Sequence, residues 1–411
     1  MEMSRPKLPF FIYKTLSRLR SLGYEILERS GGYGLLLSRN IGLVRSVARV
    51  HPEMVKKVLV IRTDAIGDII LTTPLVKAAK TCLPRASLTF LVSDECRDLI
   101  KGVPGCDRVI GYRPRRGLAG LVSWWEMARI LRKEGYDLVL ALPHGSLNIA
   151  AWARFTGANQ RVGYRSRGFG WLFSHTLPDE RGEKVKHEVE NCLELLRFVG
   201  LAPDESSKPL YVNLDPKVKK SVKRYLSEKG IEAGKERIVL IHPGSRTTWV
   251  RWPPERFAQV ADRLQARRDV RTVIVGGPGE EPVSDSVTGR MKSPALDLTG
   301  RLSLVELAAL ASISRLFIGH STGSMHLAAA TGIPVVAIFG PTSPTDHIER
   351  WRPYSAEGVV VSKAVCPQAC VPKYCPNLDC MAAVQVDDVL EKVEQSLTRP
   401  IATSSHPVAG S

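Results

Sequence analysis

Two carboxylates and a glycine interrupt the stretch "VLVIRTDAIGDIILTTP", Val58 to Pro74, where an apolar run hands over to a helix-like pattern. Val58-Leu59-Val60-Ile61 reads as a strand buried on both faces, so the turn carrying Asp64, Gly67 and Asp68 lies at the strand's carboxyl end. In open α/β sheets that edge borders the ligand crevice, which places both Asp64 and Asp68 beside it.

Three further stretches have residue types suited to a nucleotide diphosphate. In "RIVLIHPGSRTTWVRWPPERF" a strand ends at His242, a Pro-Gly-Ser turn follows, and Ser245, Arg246 and Arg251 offer hydroxyl and guanidinium donors. "TVIVGGPGEEPVSD" is a strand, a glycine turn and then Glu280-Glu281, which suits either a ribose-binding acid or acids at a helix start. In "RLFIGHSTGSMHLAAATGIPVVAIFGPT" a strand runs through Ser321, Thr322, Gly323 and Ser324 into a small-residue helix. Its free N–H groups would suit a pyrophosphate. His326 in the first turn either donates to phosphate or is a capped, satisfied histidine.

The elements that must position these residues repeat twice. Strands are expected at 58–62, 88–92, 108–110 and 137–142, with helices such as 69–81 and 120–134 between them. A second series alternates strands at 237–242, 271–276, 315–318 and 334–339 with helices at 254–267, 303–312 and 323–331. The expected organisation is a basic extension over 1–57, a first α/β domain over 58–202 and a linker over 203–215. A second α/β domain over 216–385, a helix over 386–397 that returns to the first domain, and a disordered tail over 398–411 complete it.

With 411 residues the chain can bury two cores, and 44% apolar residues is ordinary for a globular protein. No apolar run reaches the roughly 20 residues of a spanning helix, and the N-terminus lacks a signal-peptide core, so the expectation is a cytoplasmic protein. The net charge of +17 attracts phosphorylated substrates, anionic membranes or nucleic acid, but no zinc-finger or RNA-recognition signature supports the last. Residues 1–57 hold eleven Lys/Arg against four Glu, and "FFIYKTLSRLRSLGYEIL" spaces Ile12, Leu16, Leu19, Ile26 and Leu27 helically. That helix either lies on an acidic leaflet or packs on the domain with a solvated basic face.

Basic loops of the first half, "YRPRRG", "RILRK" and "RFTGANQRVGYRSRG", either suit an anionic ligand, with Arg62, Arg161, Tyr164 and Arg165 as candidate contacts, or are merely solubilising charge. Of the eight cysteines, Cys82, Cys96, Cys106 and Cys192 are scattered like reduced thiols. Cys366, Cys370, Cys375 and Cys380 are close enough in sequence to bind zinc or an iron–sulfur cluster, but they lack CxxC pairs and read as well as plain thiols.

Taken together, "IRTDAIGDIILTTP", "HPGSRTTWVRWPPERF", "VGGPGEE" and "GHSTGSMHLAAATGIPVVAIFGPT" resemble, in order and spacing, glycosyltransferase family 9, the ADP-heptose:lipopolysaccharide heptosyltransferases. The resemblance spans roughly residues 56–397. It implies a GT-B fold of two Rossmann-like domains facing a central cleft, with the nucleotide sugar held mainly by the second. It also implies inverting, metal-independent heptose transfer to the lipopolysaccharide inner core at the cytoplasmic membrane face, with no cofactor. By position, Asp68 matches the general base on the acceptor hydroxyl, while Asp64 matches no family carboxylate and reads as a turn or cap residue; Ser245 matches the phosphate-contacting turn, Glu280 or Glu281 the ribose acid, and Thr322, Gly323, Ser324 and His326 the diphosphate-binding helix start. Arg161-Val162-Gly163-Tyr164 resembles a segment on the acceptor side. Two positions depart from the family: Val250 stands where a Lys is common, and Ser321 where an Asp is usual. Arg246 or Arg251 would have to supply the missing cation. A weakened sugar-nucleotide or glycan binder and a nucleotide-sugar epimerase remain alternative expectations.

Overall fold

The computed structural model describes residues 50–142, 146–165, 169–180, 185–340, 347–355, 357–365 and 379–398. Most of the N-terminal extension, Cys366, Cys370, Cys375 and the tail from 399 onward lie outside the described residues.

The first sheet contains β1 (Lys57–Arg62), β2 (Ser87–Ser93), β3 (Arg108–Tyr112), β4 (Leu138–Ala141), β5 (Gln160–Arg165) and β6 (His175–Pro178), in the order β3-β2-β1-β4-β5-β6. The second contains β7 (Arg237–His242), β8 (Val270–Ile274), β9 (Leu296–Asp297), β10 (Leu316–His320), β11 (Val335–Ile338) and β12 (Gly358–Val361), in the order β12-β11-β10-β7-β8-β9. Every pairing is parallel. Both sheets are therefore doubly wound, and each reverses strand order once, between β1 and β4 and between β7 and β10. Ligand crevices form beyond the carboxyl ends of such strands.

Around the first sheet lie α1 (Ile66–Cys82), α2 (Gly117–Glu134), α3 (Leu147–Phe155) and α4 (Glu188–Phe198); α5 (Pro216–Glu228) follows the linker. The second sheet has α6 (Pro254–Gln265), α7 (Glu281–Thr288), α8 (Leu304–Ala311), α9 (Gly323–Ala330), α10 (Ile348–Trp351), α11 (Asp379–Ala383) and α12 (Val386–Thr398).

Helix α1 is buried along most of its length and carries Pro74 in its interior. Proline cannot donate to the carbonyl four residues back, and Thr73 Oγ1 donates to that Ile70 carbonyl instead, at 2.7 Å. The same hydroxyl accepts from the Tyr211 N–H at 3.0 Å, tying the linker to the helix that starts at the candidate base.

One continuous apolar cluster joins the faces of both sheets, from Val58 and Ile70 through Leu210 and Val212 of the linker to Met325 and Val335. The terminal helix does not return to the first domain. Val386, Val389, Val393 and Leu397 of α12 pack with Ile241, Leu316 and Val361 of the second sheet, and Arg315 Nη2 donates to the Leu397 carbonyl at 3.0 Å. Its apolar stripe is complementary to the α6 side of that sheet.

Candidate active site

The turn after β1 delivers Asp68 into the first turn of α1, with its side chain about one-sixth exposed. Behind it, Arg62 at the end of β1 is almost wholly buried and gathers three carboxylates. Its Nε donates to Asp64 Oδ1 at 2.7 Å, its Nη2 to Asp68 Oδ1, and its Nη1 to Glu188 Oε1 at 3.1 Å. Glu188 is fully buried, and its other oxygen accepts from Arg350 Nε at 3.0 Å and Nη2 at 2.8 Å, and from Asn191 Nδ2 at 3.3 Å. The chain of charges thus runs from the candidate base, through the first domain's α4, to α10 on the far side of the linker.

This setting tunes Asp68. Burial raises its pKa against the pull of Arg62, the neighbouring charges of Asp64 and Glu188 add to the rise, and the result is about 6. A carboxylate with that value is mostly ionised at neutral pH and more basic than an ordinary aspartate, which suits proton abstraction from a sugar hydroxyl.

Opposite Asp68 stands the start of α9. Gly67 packs directly on it: a Cβ there would lie 2.8 Å from His326 Cδ2 and 3.3 Å from Gly323 Cα, and one on Gly323 would lie 3.2 Å from the Gly67 nitrogen. Only glycine permits two helix starts to approach this closely. Thr322 is the N-cap of α9 with extended backbone and no side-chain cap, so first-turn N–H groups remain for an anion.

A second network braces α9 from the other strands. His242, ending β7, bonds Glu280 Oε2 through Nε2 at 2.8 Å and Ser324 Oγ through Nδ1 at 2.6 Å; Thr322 Oγ1 lies 2.8 Å from Ser324 Oγ. Glu280 also accepts from the Gly277 N–H at 2.7 Å. Burial pushes Glu280 up, but His242 and the Gly277 N–H outweigh it and hold the carboxyl below its ordinary value. A Cβ on Gly244 would lie 2.5 Å from the Glu280 carboxyl carbon, so that glycine admits the acid to the turn. His320, ending β10, is wholly buried; it accepts the Trp252 N–H on Nε2 at 2.7 Å and bonds the Gly244 carbonyl through Nδ1 at 3.3 Å. Burial drives its pKa down to about 3, so it is a neutral strut.

The expected site residues divide into two groups. Asp68, Thr322, Gly323, Ser324 and His326 meet at the junction of α1 and α9. Glu280 and Ser245 join them through the turns after β8 and β7, and Ser321 is half-buried just before α9. His326 is buried and not capped: its Nδ1 has no hydrogen-bond partner among the described residues, and burial lowers its pKa to about 3. Glu281 and Arg246 are exposed. Arg251 donates from Nε to the Ser245 carbonyl at 2.9 Å, and the Ser245 hydroxyl accepts the Thr247 N–H at 3.1 Å, so both side chains shape the turn. Val250 is half-buried in a single 3-10 turn.

Three candidate acceptor contacts have other roles. Arg62 is enclosed by carboxylates. Arg161, on β5, is buried and donates to the carbonyls of Leu172, at 3.1 Å, and Ala158, while burial and the neighbouring charge of Arg154 bring its pKa down to about 10. Tyr164 is buried beneath α4, with its hydroxyl donating to the Asn191 carbonyl at 2.6 Å. It lines a cavity of about 340 Å³ beside Leu177, Lys186 and Arg197. Arg165 is exposed at the end of β5. Asp64 is an ion-pair partner of Arg62. Cys82, Cys96, Cys106 and Cys192 are free thiols, and Cys380 is buried in α11.

Glu188, Arg350 and His242 have no part in the sequence-based site. Glu188 carries a readable signal: it falls on the buried stripe of α4 with Cys192 and Leu195, where a carboxylate needs a charged partner. His242 ends a buried strand just before a Pro-Gly turn, the position at which strands present ligand-facing groups.

Two doubly wound parallel sheets, joined where the starts of α1 and α9 meet, have the architecture of the GT-B glycosyltransferases. The chain belongs to glycosyltransferase family 9 (heptosyltransferase), whose family pattern matches residues 124–380. It is 28% identical over 300 residues to lipopolysaccharide heptosyltransferase 3 of Escherichia coli, covering 70% of this chain and 84% of that one. Its fold matches the glycosyl transferase family 9 protein of Veillonella parvula DSM 2008 with a TM-score of 0.76 at 23% identity, over 86% of this chain and 99% of the other. The E. coli ADP-heptose LPS heptosyltransferase II matches with a TM-score of 0.67 at 20% identity, over 83% and 98%.

Proposed function

We propose that the protein transfers heptose from ADP-heptose to the inner core of lipopolysaccharide, with inversion and without a metal or other cofactor, while peripherally bound at the cytoplasmic membrane face. The observation that carries this reading is the placement of Asp68, a carboxylate of pKa about 6, against the start of α9. Asp68 takes the proton of the acceptor hydroxyl as its oxygen attacks the anomeric carbon. The bond to the diphosphate breaks on the opposite face, and the first-turn N–H groups of α9, with Thr322 and Ser324, receive the leaving charge. One base and one anion site suffice for such a displacement. The relatives' names supply the donor and acceptor classes: lipopolysaccharide heptosyltransferase 3 and ADP-heptose LPS heptosyltransferase II.

The test is product mass after incubation with ADP-heptose and a lipid-A core acceptor, in the presence of a chelator. Wild type is expected to form the adduct with the chelator present. Asp68→Asn is expected to lose about 10²–10⁴ in kcat, the usual worth of a positioned base. A wild type that binds ADP-heptose without turnover, or an Asp68→Asn variant of full activity, overturns the reading.

A further inference from the structure

Helix α2 is built the wrong way round for a surface helix. Its inner face buries Met127, Ala128 and Leu131, yet its outer row begins with Leu118, Leu121, Val122 and Trp125. With Phe155 of α3, which meets the Trp125 ring edge-on at 5.2 Å between centroids, these side chains are between 43% and 81% exposed. A contiguous exposed apolar patch of this kind marks an interaction surface.

Its location follows from the topology. Helix α2 leaves the carboxyl end of β3 through the loop 113–116, and the patch occupies the first turns of that helix. Leu147, opening α3 after β4, and Trp171, after β5, are also about half exposed. All of these segments leave carboxyl ends of the first sheet, the same edge from which β1 delivers Asp68. The exposed apolar groups therefore lie along the carboxyl edge of the first sheet, the edge that also carries Asp68.

Charge selects the occupant. Arg113, Arg115 and Arg116 precede the patch, and Arg129, Arg132 and Lys133 continue its outer row; all six are exposed. Between 113 and 154 there are seven Lys/Arg and three acids, of which Glu134 pairs with Arg108 and Asp137 accepts the backbone N–H groups of Lys56 and Lys57. A second copy would bring an identical basic rim against this one. The chain's own residues 1–49 carry nine Lys/Arg and three Glu, again the same sign. An anionic lipid surface complements both components: apolar side chains with a tryptophan enter the headgroup boundary while the arginines meet lipid phosphates.

We infer that the α2–α3 face docks on anionic lipid, holding the Asp68 edge toward the membrane in which a lipid-linked acceptor resides. The inference rests on the proposed acceptor class for its purpose, but its binding test does not. Full-length protein is floated with vesicles of phosphatidylglycerol and phosphatidylethanolamine, and with vesicles of phosphatidylcholine alone. Two variants are compared, Leu121→Ser/Trp125→Ser and Arg113→Gln/Arg115→Gln/Arg116→Gln, each with an unchanged thermal melt as the check of folding, and the apolar one also with transfer to a soluble, de-acylated core acceptor.

Wild type is expected to float with the anionic vesicles only. Each arginine near an anionic surface contributes about fivefold, so the charge variant is expected to bind roughly 100-fold more weakly. The apolar variant is expected to lose at least about tenfold while retaining soluble-acceptor transfer, and both keep the wild-type melt. Undiminished flotation of the variants places the anchor elsewhere and overturns the inference. So does equal binding of wild type to phosphatidylcholine, or sedimentation as a dimer that the apolar variant breaks. Absence of soluble-acceptor transfer in wild type reports against the transfer reading alone.

Discussion

Replacing Glu188 by Gln perturbs stability and catalysis through one atom pair, in directions that the geometry fixes. The wild-type carboxylate is fully buried between Arg62, at 3.1 and 3.2 Å, and Arg350, at 3.0 and 2.8 Å. Glutamine keeps the shape but removes the counter-charge of two buried guanidinium groups and points an N–H₂ at one of them. Breaking a buried pair this way costs about 3–5 kcal/mol, which for domains of this size lowers Tm by on the order of 10 °C. The same change reaches the base. The negative charge of Glu188 raises the Asp68 pKa, and its loss also leaves Arg62 freer to stabilise the Asp68 carboxylate. Two charges joined through one guanidinium lie about 6 Å apart and interact by roughly 1.4–2.8 kcal/mol at effective dielectrics of about 40 to 20, so the pKa is expected to fall by on the order of one unit. Because the base works ionised, log kcat/KM of wild type should fall with unit slope below pH 6, and in Glu188→Gln that limb should begin at lower pH. The assay is transfer from ADP-heptose between pH 4.5 and 8, held below both melting temperatures. An acid limb that stays in place or moves up, or a Tm unchanged within 2 °C, refutes this account of the network.

Gly67→Ala forces a methyl to within 2.8 Å of a buried histidine ring at the junction of the two halves; overpacking of about 1–3 kcal/mol should appear as a roughly 10–100-fold loss in kcat/KM, read by steady-state transfer. Glu280→Gln removes the charge that accepts from both His242 and the Gly277 N–H, and ADP affinity by calorimetry should weaken by roughly 10–30-fold with α7 still folded. Acid stability follows from three buried groups. His320 and His326 have native pKa values of about 3 against 6.5 ordinarily, so the unfolded chain binds more protons between those limits and stability is lost as pH falls below 6.5, at about 1.4 kcal/mol per pH unit for each. Asp68, raised to about 6, works in the opposite sense and regains about 1.4 kcal/mol per unit below pH 6. Denaturant unfolding should show a net loss of roughly 3 kcal/mol between pH 7 and pH 5, and a gain would contradict the burial of the two imidazoles.

The parts of the fold that sequence reveals are those whose signal is local. The apolar quartets of β1 and β7, and the glycine turns after β1, β8 and β10, announce buried strands entering helices, and each appears within a few residues of its expected bounds. Strand β5 does not announce itself, since Gln160 and Arg161 at one end and Arg165 at the other resemble a basic loop around Gly163. Arg161 and Tyr164 consequently read as acceptor contacts, when β5 turns their side chains toward buried carbonyls. Arg62 shows the limit more sharply. A strand-end arginine looks like a surface donor until Glu188, 126 residues away, is brought against it. Periodicity also identifies which face of α12 is apolar without saying which sheet receives it.

The contact between Gly67 and Gly323 joins two helix N-termini, each with a partial positive charge of about half a unit. Side by side, they repel unless negative charge lies between them. Helix α1 supplies its own: Asp68 is in its first turn and Asp64 just before it, with Arg62 holding both. Helix α9 has no acid in its first turn, and Ser321 stands where the family resemblance leads one to expect an Asp. Its positive end is therefore left without a side-chain counter-charge, and its nearest polar groups, Thr322 and Ser324, are neutral hydroxyls fixed by His242. An anion seated there would meet the uncompensated end of α9, while α1 brings its own counter-charge to the junction. A serine at 321 in place of an acid therefore strengthens the pull of α9 on an anion, and the candidate base on α1 keeps a negative charge of its own, held by Arg62.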